Sequence, residues 1–189
     1  MNRIIDKISA VLAVVLLVFV CDTASGAELQ STWLTLETHY TRVFFQTESD
    51  VRIFNEKIHF KRAAAGLSTF FSAKKGSGAA GELALKMDGL FGRVQEILDM
   101  RKAMEKVSIK VYSDKSKLQA AYNKFHSGQC RIRAWYVFEE NSVYVSAADV
   151  NAGMLGHELA HAIIDHFLQV KPPKATAEIL ARYVDRHID

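Results

Sequence analysis

The stretch 154–168 constrains the fold more than any other part of the chain, because nearly all of its positions are apolar. Plotted as a helix, its ionisable residues other than His166 fall in one sector about 100° wide: His157, Glu158, His161 and Asp165. A helix that is apolar on most sides is buried in the protein. Ionisable groups in such a helix need a partner, because removing an unpaired charge from water is costly. The stretch therefore predicts a buried helix whose ionisable sector has a partner.

The spacing of residues in this sector is that of a metal site. His157 and His161 lie four residues apart, so a helix with 3.6 residues per turn points both imidazoles the same way. Both rings can then bind one zinc ion, while Glu158 is placed to activate a zinc-bound water. This is the HExxH pattern, which is typical of zinc metallopeptidases. The alternative is a buried histidine pair that is hydrogen-bonded to carboxylates such as Asp165.

A catalytic zinc ion needs a third protein ligand, and two acidic residues are candidates. Asp165 lies two turns beyond His157, roughly 12 Å along the axis, so one straight helix cannot easily bring both to the same ion. Asp165 is better placed as a helper or an ion-pair partner. Glu178 is the stronger candidate, because the proline pair 172–173 ends the first helix. A second helix over 175–188 would then pack antiparallel and return Glu178 towards the histidines.

The helical wheel of 175–188 leaves a second interpretation of Glu178 open. It places Glu178 on a polar face with Arg182 and Asp185, so Glu178 can also be a solvated side chain paired with Arg182. A zinc cleft faces solvent as well, and the wheel does not separate the two. The same wheel predicts that the apolar residues of this helix face the core: Ile179, Leu180, Tyr183, Val184 and Ile188.

The segments 156–161 (Gly-His-Glu-Leu-Ala-His) and 178–181 (Glu-Ile-Leu-Ala) together resemble the HExxH…E arrangement of gluzincin-type zinc peptidases, such as thermolysin-like enzymes. The resemblance covers about the last third of the chain. It implies a zincin-like fold, a Zn²⁺ ion held by His157, His161 and Glu178, and Glu158 as general base. The chain departs from the thermolysin-like pattern at Arg182, where those enzymes carry an aspartate. Asp165 or Asp185 can instead orient a ligating imidazole.

The chemistry expected of such a site is hydrolysis of a peptide bond. Zinc polarises the water and the scissile carbonyl, and Glu158 takes the proton and passes it to the leaving amine. A further donor should stabilise the oxyanion. Its identity stays open among four residues: Tyr136, Tyr144, Tyr183 and His187.

The pattern upstream of the motif predicts an α+β fold with a small mixed sheet. Alternating residues indicate strands at 39–45 and 107–112 and a hairpin of strands 132–138 and 143–147. Helices are expected after Ser49 or Asp50, over 87–104 and after Ser113 or Asp114, with a surface loop over 63–81. The last strand leads into the HExxH helix. A free strand edge beside the metal, packed on that helix, could bind an extended peptide.

The N-terminus has the features of a secretory signal peptide over residues 1–27. A basic start precedes an apolar run over 8–20, and the small residues Ser25 and Ala27 fit a cleavage site. The run is shorter than the about 20 residues of a membrane span, so a membrane is expected only if the segment stays uncleaved. One domain over 28–189 would follow, secreted or periplasmic. Cys130 would then be the only cysteine, which excludes an intramolecular disulfide.

The composition is that of a globular protein, with 49% hydrophobic and 24% charged residues. The net charge of +3 is scattered, so no basic stripe indicates nucleic-acid binding. The leading interpretation is a zinc metallopeptidase that acts on a peptide or protein. The alternatives are a zincin-like domain that binds zinc without hydrolysis, and a membrane-anchored structural protein whose histidines are simply buried. The pattern carries no signal for the oligomeric state.

Overall fold

The computed structural model describes residues 33–60 and 78–189. The signal segment 1–27 and most of the loop expected at 63–81 therefore lie outside the described residues. In the described part, no helix is long and apolar enough to cross a membrane. Five strands are formed there: β1 (Leu34–Glu37), β2 (Thr41–Phe45), β3 (Val107–Tyr112), β4 (Ala134–Val137) and β5 (Ser142–Ser146). Five α-helices accompany them: α1 (Glu48–Lys57), α2 (Ala79–Leu98), α3 (Lys115–Tyr122), α4 (Ala152–Phe167) and α5 (Lys174–His187).

The strands form one mixed sheet in the order β1-β2-β3-β5-β4. The three central strands run parallel, and the outer strands β1 and β4 pair antiparallel with β2 and β5. The prediction of a small mixed sheet is thus confirmed, and so is the hairpin of the last two strands. The sheet has the expected edge strand on the HExxH helix, but this edge is not the strand that leads into the helix. That strand, β5, is buried and paired on both sides, and β4 forms the edge that packs on α4.

The main core lies on one face of the sheet, which packs against α1, α2, α4 and α5. The alternation predicted for 107–112 explains this arrangement, because Val107, Ile109 and Val111 are fully buried on that face. The opposite face carries a smaller cluster built from Trp135, Tyr144 and residues of α3. The sheet therefore holds α4 between β4, α2 and α5.

Three element boundaries differ from the sequence-based prediction. Helix α1 is capped by Thr47 and not by Ser49 or Asp50, since the Thr47 side chain accepts from the Asp50 amide in a capping box. Helix α2 begins at Ala79 and ends at Leu98, before Asp99 in the left-handed conformation. The prediction of a helix over 87–104 is therefore wrong at both ends, since residues 79–86 are also helical and residues 99–104 are not. Strand β1 is absent from the sequence-based prediction, because it is only four residues long and too short to give a clear pattern.

Helix α5 packs closely on α4 as the proline pair predicted. The approach is close at Gly156, where an added Cβ would meet Ile188 at 3.3 Å and Val184 at 3.5 Å. The prediction that the apolar residues of α5 face the core is wrong for two of them: Ile179 is 68% exposed and Tyr183 is 50% exposed. Their places in the interface are taken by Ala177 and Ala181. Small side chains let two helices approach closely, and a wheel that ranks residues by hydrophobicity overlooks them.

Truncation of Val184 should destabilise the protein through this helix pair. Val184→Ala leaves a cavity between α4 and α5, for which we expect a loss of about 1–3 kcal/mol in the free energy of unfolding. Urea denaturation measures it. The matched control is Ile179→Ala on the exposed side of α5, which should change stability by about 0.5 kcal/mol or less. An equal loss in both variants would contradict the orientation of α5.

Candidate metal centre

Helix α4 presents the HExxH residues from its second and third turns. The helix begins after Asn151, whose side chain accepts from the Met154 amide at 2.8 Å. His157 and His161 follow on one side, and their rings lie 5.0 Å apart between centroids. Their Nε2 atoms are 3.3 Å apart, so both nitrogens converge on one point. The helical spacing alone predicts this convergence, and the structure has it.

Glu178 of α5 completes a cluster of three donors. Its Oε2 atom lies 3.7 Å from His157 Nε2 and 3.5 Å from His161 Nε2. Within the described residues, these three side chains are the one group of histidine, cysteine or acidic residues with ligand atoms close enough to hold a metal ion together. The antiparallel return of α5 thus brings Glu178 to the histidines, as the sequence predicted.

The distances among the three donor atoms fit a zinc ion. Zinc bonds nitrogen and carboxylate oxygen at about 2.0–2.2 Å in tetrahedral sites, which corresponds to donors about 3.3–3.6 Å apart. The observed separations are 3.3, 3.5 and 3.7 Å. The donor set of two imidazoles and one carboxylate also occurs in catalytic zinc sites. The residues present therefore fit the ion that the sequence implies.

The carboxylate of Glu178 has two different partners. Oε2 faces the histidines, whereas Oε1 accepts a hydrogen bond from Arg182 Nε at 2.9 Å. Glu178 therefore pairs with Arg182 and faces the histidine pair at the same time. Burial by itself would raise the pKa of Glu178, but the hydrogen bond from Arg182 and the charges of the histidines and Arg182 together lower it. The ionised form, which binds metals, is favoured.

The surroundings of His161 favour its neutral form, which is the form that binds a metal. Burial, followed by the charge of His157, lowers the pKa of His161 below its usual value, although Glu178 and Asp165 oppose the shift. A neutral imidazole has a free lone pair on one nitrogen, and a metal ligand must be deprotonated there. His161 is therefore suited to metal binding near neutral pH.

Glu158 follows His157 in α4 and is almost fully buried. Burial raises its pKa to about 7, the nearby backbone amide of Tyr136 in β4 opposes the shift, and the charge of Glu178 adds to it. A carboxyl group with a pKa near neutrality can both take and return a proton. The edge strand β4 thus contacts the one acidic residue that the motif predicts as the base.

The raised pKa of Glu158 predicts how the metal-free protein responds to pH. Because the folded state binds this proton more tightly than the unfolded state, stability should fall as pH rises from about 4.5 to about 7. The loss corresponds to about 3 kcal/mol. In Glu158→Gln this fall should disappear, so the variant should exceed the wild type in stability at pH 8 but not at pH 4.5, by urea denaturation with chelator. Glu56→Gln controls for loss of a surface charge. A pH response in Glu158→Gln equal to that of the wild type would contradict the burial of an ionisable carboxylate.

Other residues proposed from the sequence have partners away from the cluster. Asp165 forms an ion pair with Lys171 at 3.6 Å, and Asp185 packs against Gly153 at the start of α4. In the parts of the chain that the structure describes, neither hydrogen-bonds to His157 or His161.

The four oxyanion candidates are also engaged elsewhere or exposed. The Tyr136 hydroxyl lies 3.3 Å from His166 Nε2, and Tyr144 donates to Glu140 on the opposite side of the sheet. His187 Nδ1 lies 2.7 Å from the Tyr183 carbonyl oxygen. The structure therefore brings Glu158 close to the cluster, whereas the polar side-chain atoms of Tyr136, Tyr144 and His187 have other partners and Tyr183 is exposed.

Comparison with known proteins adds no relative: no protein-family model, curated protein or solved structure matches the chain.

Two contacts of the site were not predicted from the sequence. One is the backbone of Tyr136 beside Glu158, which depends on strand order. The other is that the two oxygens of Glu178 have different partners, Arg182 and the histidine pair. The four-residue spacing between Glu178 and Arg182 indicates the first of these contacts.

Proposed function

We propose that the protein is a zinc-dependent metallopeptidase with a zincin-like arrangement of its active site. His157, His161 and Glu178 hold the ion, and Glu158 is the general base. The observation that carries the proposal is the position of Glu178 Oε2, 3.5 and 3.7 Å from the two histidine nitrogens. Arg182 contacts only Oε1, so Oε2 is directed at the histidine pair, as expected of a third ligand. Secretion or export to the periplasm, from the signal-like segment 1–27, is part of the proposal.

The residues of the chain would share the reaction as follows. When bound, zinc supplies a Lewis acid that polarises the substrate carbonyl and acidifies water. Glu158 accepts a proton from the attacking water and later delivers it to the leaving amine. A pKa of about 7 suits both transfers, because the carboxylate releases the proton as readily as it takes it. Glu178 and the histidines keep their places because α4 and α5 are packed together through Gly156.

The free edge of β4 favours a peptide as the substrate. In the described residues β4 pairs on one side only, with β5, and its other edge is free beside α4. An extended peptide can add to such an edge through main-chain hydrogen bonds. The Tyr136 amide belongs to this strand and lies close to Glu158. A peptide added there would have its backbone near the proposed base.

A second candidate function is zinc binding without hydrolysis. It is favoured by the oxyanion candidates, since the polar groups of Tyr136, Tyr144 and His187 contact other residues. A site without that donor would still hold the ion. In that case the protein would serve a binding or structural role.

Two measurements on the purified protein test these functions. We expect one zinc ion per chain by elemental analysis, and hydrolysis of a mixed peptide library that stops with chelator and returns with zinc. Zinc without hydrolysis would favour the second candidate. A protein that binds no zinc after incubation with the ion would overturn both and leave a buried histidine pair.

A further inference from the structure

Arg182 contacts the proposed metal ligand through the oxygen that does not face the histidines. Its Nε atom lies 2.9 Å from Glu178 Oε1, and the two residues are four apart on α5. The Arg182 side chain is 65% exposed, whereas that of Glu178 is 34% exposed. An exposed ion pair of this spacing contributes little to stability. A contribution to the stability of the protein therefore does not explain why Arg182 lies beside Glu178.

The consequence of the contact lies in how Glu178 can bind a cation. Carboxylates bind metal ions through one oxygen or through both. A guanidinium hydrogen bond is directional and charge-assisted, so it holds its acceptor oxygen in a fixed orientation. With Oε1 held by Arg182, only Oε2 is available to the histidine pair.

We infer that Arg182 is a positioning residue that keeps Glu178 a single-oxygen ligand. The inference rests on the proposed function. A catalytic zinc site uses three protein donors and leaves one position for water or substrate. A second oxygen from Glu178 would compete for that position. Arg182 therefore acts on the site through Glu178 and has no contact with the substrate in this proposal.

Cobalt substitution reports the number of donors directly. Co²⁺ can replace zinc, and its visible absorption is strong in four-coordinate sites and weaker when a further donor is added. In Arg182→Met, which keeps an unbranched stem and a similar helix propensity but removes the donor, we expect about a twofold loss of visible absorbance. Arg182→Lys should restore most of it, because lysine can pair with a glutamate four residues away. The turnover number of the zinc form should fall about tenfold in Arg182→Met, with KM little changed.

Arg186→Met is the matched control, since Arg186 is an exposed arginine one turn further along α5. Its cobalt spectrum should equal that of the wild type. If Arg182→Met also gives the wild-type spectrum, Arg182 is only a surface ion-pair partner and the inference is overturned, while zinc-dependent hydrolysis by the wild type still stands. If the wild type itself takes up neither Co²⁺ nor zinc, the proposed function fails and the inference fails with it. Should Arg182→Met not fold, as judged by circular dichroism, Arg182→Gln gives the same comparison.

Discussion

Replacing Glu158 with glutamine should abolish peptide hydrolysis while zinc binding remains. Glutamine has nearly the shape of glutamate, but it cannot accept a proton at the pH of the assay. We expect kcat to fall by about 10²–10⁴-fold, the range for loss of a general base. Zinc content should stay near that of the wild type, because the three donors lie on other residues: His157, His161 and Glu178.

The measurement needs both readouts on the same preparation. Peptide hydrolysis is followed by mass spectrometry, and zinc is counted by elemental analysis after dialysis. Glu139→Gln, an exposed glutamate at the end of the β4–β5 hairpin, is the matched control and should keep full activity. Turnover by Glu158→Gln at the wild-type rate would contradict the role of Glu158 as general base. Loss of zinc from this variant would show instead that Glu158 supports the ion.

Removing one donor of the cluster should cost more zinc affinity than any other single change in this chain. Loss of an outer partner of a metal ligand typically costs 10–100-fold, so His161→Ala or Glu178→Ala should cost at least about 100-fold. The reason is geometric, since the remaining two donors span only one edge of the site. Competition with a coloured chelator measures the dissociation constant.

His166→Ala supplies the control for this prediction. His166 lies on the same helix, but its ring nitrogen faces the Tyr136 hydroxyl at 3.3 Å. The variant should bind zinc as tightly as the wild type. Equal losses in His161→Ala and His166→Ala would indicate binding by scattered histidines. Full affinity in Glu178→Ala would remove Glu178 from the site and with it the likeness to gluzincins.

The meeting of the three side chains could be predicted from the sequence because it depends on local geometry. The convergence of His157 and His161 follows from the pitch of one helix. The return of Glu178 follows from a proline pair and a second helix, since two consecutive helices joined by a short turn pack antiparallel. Both inferences depend only on residues that are close together in the sequence.

What the sequence could not predict depends on contacts between distant segments. Strand order decides that β4 and not β5 is the edge beside α4, and no local pattern encodes it. The outward direction of Ile179 and Tyr183 depends on how closely α5 approaches α4, which Ala177, Ala181 and Gly156 make possible. The partner of Glu178 Oε1 was visible as a spacing, but its consequence required the direction of both oxygens.

The proposed donors all belong to one continuous helical hairpin, α4 and α5, joined by the residues between Phe167 and Lys174. Closing so short a loop costs little conformational entropy. The hairpin could therefore gather the same three donors around zinc while the sheet is still unformed. An ion that also binds the unfolded chain stabilises the native state by less than its affinity alone would give. Zinc would then promote formation of the helical hairpin during folding more than it would stabilise the folded state.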